Sequence, residues 1–139
     1  MSRLTRFGVS VDSDLLDKFD EMNDKKGYAN RSEAIRDIIR EKLVIEEWTQ
    51  TARETVGVFS IVYDHHQNEL SQILNALQHD YLDIIISSTH IHIDHNNCLE
   101  VIILKGKSNR IKEITNKLSA ERGIKHGKLI MTSTGSDLY

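Results

Sequence analysis

From Thr55 onward, segments with the hydrophobic period of a strand and segments with that of a helix follow one another in a definite order. This order restricts the fold of the 139-residue chain more than any other feature. Apolar residues that alternate with polar ones predict strands, and apolar residues three or four apart predict helices. The successive segments are a strand, a helix, two strands joined by a turn, a helix and a strand, over residues 55–63, 65–81, 84–93, 98–104, 108–123 and 125–132. This β-α-β-β-α-β order predicts a ferredoxin-like domain, in which helices cover one face of a four-stranded sheet.

The first fifty residues have a different pattern, a short strand followed by two amphipathic helices. Polar residues that can cap a helix, and a glycine that can end one in the left-handed conformation, stand at the expected places. We place the second helix up to about Trp48. The residues that can cap or end these helices are Asp12 or Ser13 and Gly27 for the first, and Asn30 or Ser32 for the second. The fold class is therefore α+β, with a β-α-α domain at residues 1–50 and a ferredoxin-like domain at residues 51–139.

The β-α-α segment is too small to bury its own apolar stripe, because small domains leave much of their surface exposed. We therefore expect two copies to pair their strands as an antiparallel ribbon. One face of each strand, with Phe7, Val9 and Val11, would then pack on the helices. A two-stranded ribbon fits the major groove of DNA. The alternative is that Arg3 and Arg6 are solvated residues of an edge strand that contacts no DNA. The outward-facing residues of the strand are Arg6, Gly8 and Ser10.

Composition and charge describe an ordinary globular protein with no general attraction to nucleic acid. The net charge is -3, and 28% of the residues are charged. Any DNA contact must therefore depend on a few well-placed cations near the N-terminus. No apolar run approaches the roughly 18 residues of a membrane span, and no signal peptide is recognisable. We expect a cytoplasmic protein without a membrane partner, and the single cysteine fits a reducing compartment.

The stretch from His90 to Cys98 gathers candidate metal ligands. His90 and His92 are two residues apart on a predicted strand, so their rings should lie on the same side. Cys98 is the only cysteine, and His79 precedes the pair by eleven residues. Imidazole and thiolate together suit zinc, nickel or copper, and the spacing does not decide among them. The alternative is a polar strand with Cys98 as a small buried residue.

With both halves in place, the chain resembles the nickel-responsive transcriptional regulators. These combine a ribbon-helix-helix DNA-binding domain with a metal-binding domain of the ferredoxin-like ACT type. The resemblance covers nearly the whole chain. The residues that carry it are Asn30-Arg31-Ser32-Glu33-Ala34-Ile35-Arg36-Asp37, His79, His90-Ile91-His92, Cys98-Leu99-Glu100 and Leu104-Lys105-Gly106.

For the metal, the resemblance implies one square-planar Ni²⁺ per subunit in a homotetramer. His90, His92 and Cys98 of one chain would bind it together with His79 of another. The resemblance also implies that Tyr63, His65 and Glu100 support these ligands without binding the metal. Glu33 and Asp37 would bind a secondary cation where the two domains meet. His66, His95 and His126 receive no role, although His95 lies close enough in sequence to bind a second metal at high loading.

For DNA, the resemblance implies that the outward strand residues read an operator and that the start of the second helix binds a phosphate through its free N–H groups. Gly8 offers no side-chain hydrogen bond, so the operator sequence of relatives does not transfer. The implied function is nickel-dependent repression of a nickel-uptake system. The expected DNA-contacting residues are Arg3, Arg6, Gly8, Ser10, Asn30, Arg31 and Ser32.

Two other classes of function compete with this interpretation. An enzyme would need an open coordination position beside a general base such as Glu100, but four protein ligands would already fill a four-coordinate site. We therefore do not expect an enzyme. The second alternative is a sensor that binds a metal or a small molecule without acting on DNA, and the outward Arg6 and Ser10 argue against it.

Overall fold

The computed structural model describes residues 3–67 and 69–139, which divide into two compact units. The first unit contains the chain up to Leu43 together with Asp137–Tyr139, and the second contains Val44–Ser136. The fold class is α+β, as the sequence predicts. None of the helices in the described part of the chain is both long and apolar enough to cross a membrane.

The first unit is built on helix α1 (Ser13–Lys26) and on helix α2 (Arg31–Glu47) as far as Leu43, since the end of α2 from Val44 belongs to the second unit. The Asp12 carboxylate caps α1 by accepting hydrogen bonds from two backbone N–H groups of its first turn, at 2.9 and 3.3 Å. Gly27 ends α1 with φ at 79°, a left-handed conformation that costs a glycine little. The Asn30 side chain accepts from the Glu33 N–H at 2.9 Å at the start of α2. The predicted caps at Asp12, Gly27 and Asn30 are therefore confirmed.

The strand predicted before α1 does not form in the single chain. Residues 3–12 belong to no helix or strand, and Phe7 and Val9 are each 68% exposed. A strand exists only through hydrogen bonds to a neighbouring strand. No strand of this chain serves as that neighbour among the described residues, and the sequence interpretation assigns that role to a second copy.

The second unit has the predicted β-α-β-β-α-β order. Its four strands form one antiparallel sheet with the strand order β2-β3-β1-β4. Its elements are β1 (Glu54–Asp64), α3 (Leu70–His79), β2 (Ile85–His92), β3 (Asn97–Lys107), α4 (Ser108–Ala120) and β4 (Ile124–Met131).

The core of this unit lies between one face of the sheet and its two helices. Alternate residues of β1 and β3 are buried, which is the pattern of strands with one covered face. The other face leaves Ile103 and Ile130 exposed. Each fully buried large apolar side chain contributes roughly 1.5–3 kcal/mol. The main buried side chains are Phe59, Ile61, Leu74, Ile102, Leu104, Ile111, Ile114 and Leu118.

Two details of the second unit differ from what residue type and spacing predict, which is a helix that begins at His65 and a serine cap at Ser108. Helix α3 begins at Leu70 and not at His65, because His65–Gln67 form a turn in which the His65 N–H donates to the Asn96 carbonyl at 3.2 Å. Ser108 begins α4 but does not cap it, since its hydroxyl donates to the Gln50 carbonyl at 3.4 Å. In both places a contact distant in sequence replaces the local one.

Candidate metal centre

The β2–β3 hairpin brings a histidine and the only cysteine together. His92 lies directly opposite Cys98 in the antiparallel register. Their Nδ1 and Sγ atoms are 3.3 Å apart, and Cys98 is fully buried. The Asp94 carboxylate fixes the turn between the strands by accepting from the N–H groups of Asn96 and Asn97, at 2.9 and 2.8 Å. The hairpin therefore holds an imidazole nitrogen and a soft sulfur donor at contact distance.

A third donor comes from the turn that follows β1. Tyr63 lies opposite Cys98 in the register of β1 and β3, and the chain turns two residues later. The backbone hydrogen bond from the His65 N–H to the Asn96 carbonyl holds this turn against the hairpin. As a result His65 Nδ1 lies 3.4 Å from Cys98 Sγ. The donor atoms of His65, His92 and Cys98 all lie within 4.8 Å of one another.

His90 lies beside this group without belonging to it. Its ring centroid is 5.2 Å from that of His92, because the two residues occupy the same side of β2. It is also 5.9 Å from the ring of Tyr63. The predicted pair of imidazoles on one strand is therefore present.

His79 is the last residue of α3 and is exposed. Among the described residues it joins no group of metal donors in this chain. Its neighbour Gln78 donates to a carboxylate oxygen of Glu100 at 2.8 Å, and the Ser88 hydroxyl donates to the same oxygen at 2.8 Å. Glu100 is buried and lies opposite His90 in the sheet. One carboxylate thus connects the end of α3 to the strand that bears His90 and His92.

Burial controls the protonation of the centre. It raises the pKa of the Cys98 thiol, with help from nearby carboxylates, so the metal-free protein retains the thiol proton near neutral pH. Burial lowers the pKa of His65, which leaves a neutral imidazole able to bind a cation. Burial, and then Glu100 and Cys98, raises the pKa of Tyr63 to about 12. A buried thiol in contact with two imidazoles fits a transition metal, and binding must displace the thiol proton.

A second, more exposed group adjoins the first. It consists of Asp64, His65 and His66, whose donor atoms also lie within 4.8 Å of one another. His66 Nε2 contacts the His95 backbone carbonyl at 3.1 Å. His95 thus lies next to the centre, as its position in the sequence suggests.

The two acids expected to bind a secondary cation are engaged with arginines. The Glu33 carboxylate pairs with Arg36, and the Asp37 carboxylate accepts from Arg40 at 2.9 Å. The Tyr28 hydroxyl also donates to Asp37 at 2.7 Å, which lowers the pKa of that acid. A cation at either carboxylate would therefore compete with an existing partner.

The residues expected to contact DNA are all exposed, but the side chains of Arg31 and Asn30 already make hydrogen bonds within the chain. Arg31 donates two hydrogen bonds to Asp20 at 2.9 and 2.7 Å and so joins α2 to α1. The Asn30 amide is occupied by the cap described above. The other exposed residues of this set are Arg3, Arg6, Gly8, Ser10 and Ser32.

The sequence did not reveal that His65 is a candidate ligand. The resemblance implies only that it supports the ligands, and the helical spacing predicts that it begins a helix. The only available signal was the run Asp64-His65-His66 directly after a strand. Its proximity to Cys98, 33 residues later, depends on strand register.

Two family models match the chain in the two regions described above. One is described as the NikR C terminal nickel binding domain and matches residues 56–132. The other is described as a ribbon-helix-helix protein of the copG family and matches residues 5–46.

Several relatives match over almost their whole length, each provisionally named a nickel-responsive regulator. A protein of Nitratidesulfovibrio vulgaris is 54% identical over 99% of both chains. One of Thermococcus onnurineus is 53% identical over 98% of this chain and 99% of its own, and one of Geotalea uraniireducens is 49% identical over 100% of both. Among solved structures, the uncharacterized protein TM1266 of Thermotoga maritima is similar in fold, with a TM-score of 0.51 and 18% identity over 56% of this chain and 96% of its own.

Proposed function

The chain belongs to the family of nickel-responsive regulators, and we propose that it represses a nickel-uptake system when nickel is bound. At the level of the family, it is a nickel-responsive DNA-binding regulator and not an enzyme. The observation that carries the proposal is the buried Cys98 thiol, which contacts imidazole nitrogens inside the domain that matches the nickel-binding family model.

The proposed nickel site has four ligands and one Ni²⁺ per subunit. His90, His92 and Cys98 come from one chain, and His79 comes from a second chain. The shared strand face of the two histidines and their proximity to the buried thiol support the first three. The exposed position of His79 at the end of α3 supports the fourth. When bound, nickel would supply a link between subunits, while the chain's own residues hold the donors in place.

We propose a homotetramer with a DNA-binding domain at residues 1–50 and a metal-binding, tetramerising domain at residues 51–139. Met1 and Ser2 lie outside the described residues. Large exposed apolar areas mark protein interfaces. In the first unit Phe7 and Val9 are exposed, and in the second Ile91, Ile103 and Ile130 are exposed on the sheet face opposite the helices. The apolar residues of the first unit would form the contact within a dimer. The exposed sheet face of the second unit would form the contact between two dimers.

In this arrangement two ribbons read two half-sites on one face of operator DNA. Half-sites on one face must be separated by nearly whole helical turns. By linkage, nickel that favours DNA binding is itself bound more tightly on DNA. We expect the protein to act in the cytoplasm, where its operator is.

Gel-shift titration against genomic fragments, with nickel and without, tests the function. We expect specific retardation of a fragment upstream of nickel-uptake genes only when nickel is present. In vitro transcription from the same fragment should then fall on addition of nickel. Equal retardation in both conditions would contradict nickel control, and no retardation of any fragment would favour a metal sensor that does not act on DNA.

Glu100→Gln is expected to weaken nickel binding by about 10–100-fold, the usual cost of losing a group that orients metal ligands. The amide keeps the size of the carboxylate but removes its charge and one of its acceptor atoms. The hydrogen bonds that Gln78 and Ser88 donate to Glu100 Oε1 therefore lose their charge assistance, and the end of α3 that bears His79 is held less firmly.

Competition with a chromophoric chelator measures this affinity. Glu113→Gln is the matched control, since that glutamate of α4 is exposed and pairs with Lys117 at 3.6 Å. Equal nickel affinity in the two variants would mean that the Glu100 contacts do not support the site.

A further inference from the structure

We propose that His65, His92 and Cys98 of a single chain form an alternative site for zinc or another ion that prefers tetrahedral coordination. This proposal rests on the proposed function, because two of the three residues are also proposed nickel ligands. It gives His65 a role as a ligand, where the sequence suggested only support.

The distances between the donor atoms fit one tetrahedral ion. Cys98 Sγ lies 3.3 Å from His92 Nδ1 and 3.4 Å from His65 Nδ1. With Zn–S near 2.3 Å and Zn–N near 2.0–2.1 Å, a tetrahedral angle separates sulfur from nitrogen by about 3.5 Å. The two observed separations are close to this value, and the donor atoms of the two histidines lie within 4.8 Å of each other, so one ion could contact all three donors once the two rings adjust.

The scaffold holds these three donors within one chain. His92 and Cys98 lie opposite each other on two paired strands. His65 is held by the hydrogen bond between its backbone N–H and the Asn96 carbonyl, which leaves its ring free to bind. Three protein ligands with a fourth position for water are an established arrangement for zinc. No residue of a second chain is required.

Competition between the two sites follows from their shared ligands. An ion held by His65 occupies His92 and Cys98 and excludes nickel from them. It does not use His79, so it gives no link between subunits. The site therefore distinguishes metals by which histidine each one recruits, His65 within the chain or His79 from a neighbour.

Zinc and nickel affinities of His65→Ala and His79→Ala, measured by chelator competition on the full-length protein, test the proposal. We expect His65→Ala to lose more than about 100-fold in zinc affinity, because a ligand is removed, and to lose only about 10–100-fold in nickel affinity, the loss usual for a residue that supports ligands without binding the metal. We expect the opposite in His79→Ala, with zinc retained and nickel lost. Retained nickel binding also shows that His65→Ala is folded, and His65→Gln provides a second variant.

His66→Ala is the matched control, because His66 is adjacent and exposed but lies outside the proposed set. It should bind zinc like the unmodified protein. Co²⁺ provides an independent readout, since tetrahedral Co²⁺ absorbs visible light much more strongly than octahedral Co²⁺. The strong bands should appear in His66→Ala and His79→Ala and be absent in His65→Ala.

Three results would overturn the proposal. Zinc affinity unchanged in His65→Ala would exclude that ligand. An equal loss in His66→Ala would place the ion at Asp64, His65 and His66 instead. An equal loss of nickel and zinc in His65→Ala would make the residue a general support. Failure of the proposed function looks different, because nickel affinity unchanged in His79→Ala would contradict the shared nickel site while leaving the His65 result intact.

Discussion

Mixed oligomers of His79→Ala and Cys98→Ala chains are expected to recover the tight nickel binding that neither variant has alone. Each variant by itself lacks one ligand at every site. In a mixed pair, intact His79 from one chain meets intact His90, His92 and Cys98 from the other. If the chains mix at random across a two-fold interface, about a quarter of all sites regain four ligands. The thiolate-to-nickel charge-transfer absorption should return to a similar extent, and it should fall in acid as protons displace the metal.

The experiment needs proof that mixed oligomers form. Co-purification of two differently tagged chains after co-refolding supplies it. A mixture of His79→Ala with His90→Ala should recover equally well, because His90 is proposed to belong to the same chain's set as Cys98. A mixture of His90→Ala with Cys98→Ala should not recover, because each chain then lacks one of the three ligands that a single chain must supply. If mixed oligomers form and the absorption stays absent in the first mixture, the nickel site is not shared in the way proposed.

Arg6→Ala is expected to abolish specific operator binding while nickel affinity off DNA stays nearly unchanged. A bidentate contact from arginine to guanine contributes about 1–3 kcal/mol per half-site, and an operator with two half-sites loses this contribution at both of them. Residual binding should be weak and non-specific. The salt dependence of the binding constant should decrease by no more than the amount expected for about one phosphate contact per arginine removed. Fluorescence anisotropy with labelled operator and scrambled DNA measures both effects.

Arg122→Ala removes the same charge from an exposed position of the ferredoxin-like domain and serves as the control. It should leave the preference for operator over scrambled DNA intact. Undiminished operator affinity in Arg6→Ala would mean that the N-terminal segment does not read DNA.

The N-terminal segment shows what a single chain cannot form. Alternation of Phe7, Val9 and Val11 predicts a strand, yet these side chains are exposed and residues 3–12 form no element. The pattern encodes which face an interface would cover, but the hydrogen bonds of a strand come from its neighbour. The sequence therefore predicts an element whose formation we expect to require a second copy.

Several interactions within a few residues were determined by the sequence alone. The caps at Asp12, Gly27 and Asn30 join backbone groups no more than four residues away, so residue type and spacing were enough to predict them. The same is true of the period of each strand and helix, which gave the β-α-β-β-α-β order. The pairing of His90 and His92 on one side of β2 also follows from a period of two.

Only the tertiary structure decided which distant residues meet. His65 contacts Cys98 because Tyr63 is opposite Cys98 in the sheet and the following turn is fastened to Asn96. The alternation of apolar residues in β1 and β3 excludes a register shifted by one residue, which would move every side chain of β3 to the other face. It does not exclude a shift by two residues, which keeps the faces but would separate Cys98 from Tyr63. The sequence thus supplied the kinds of donor atoms, whereas strand pairing determined that three of them lie within 4.8 Å of one another in one chain.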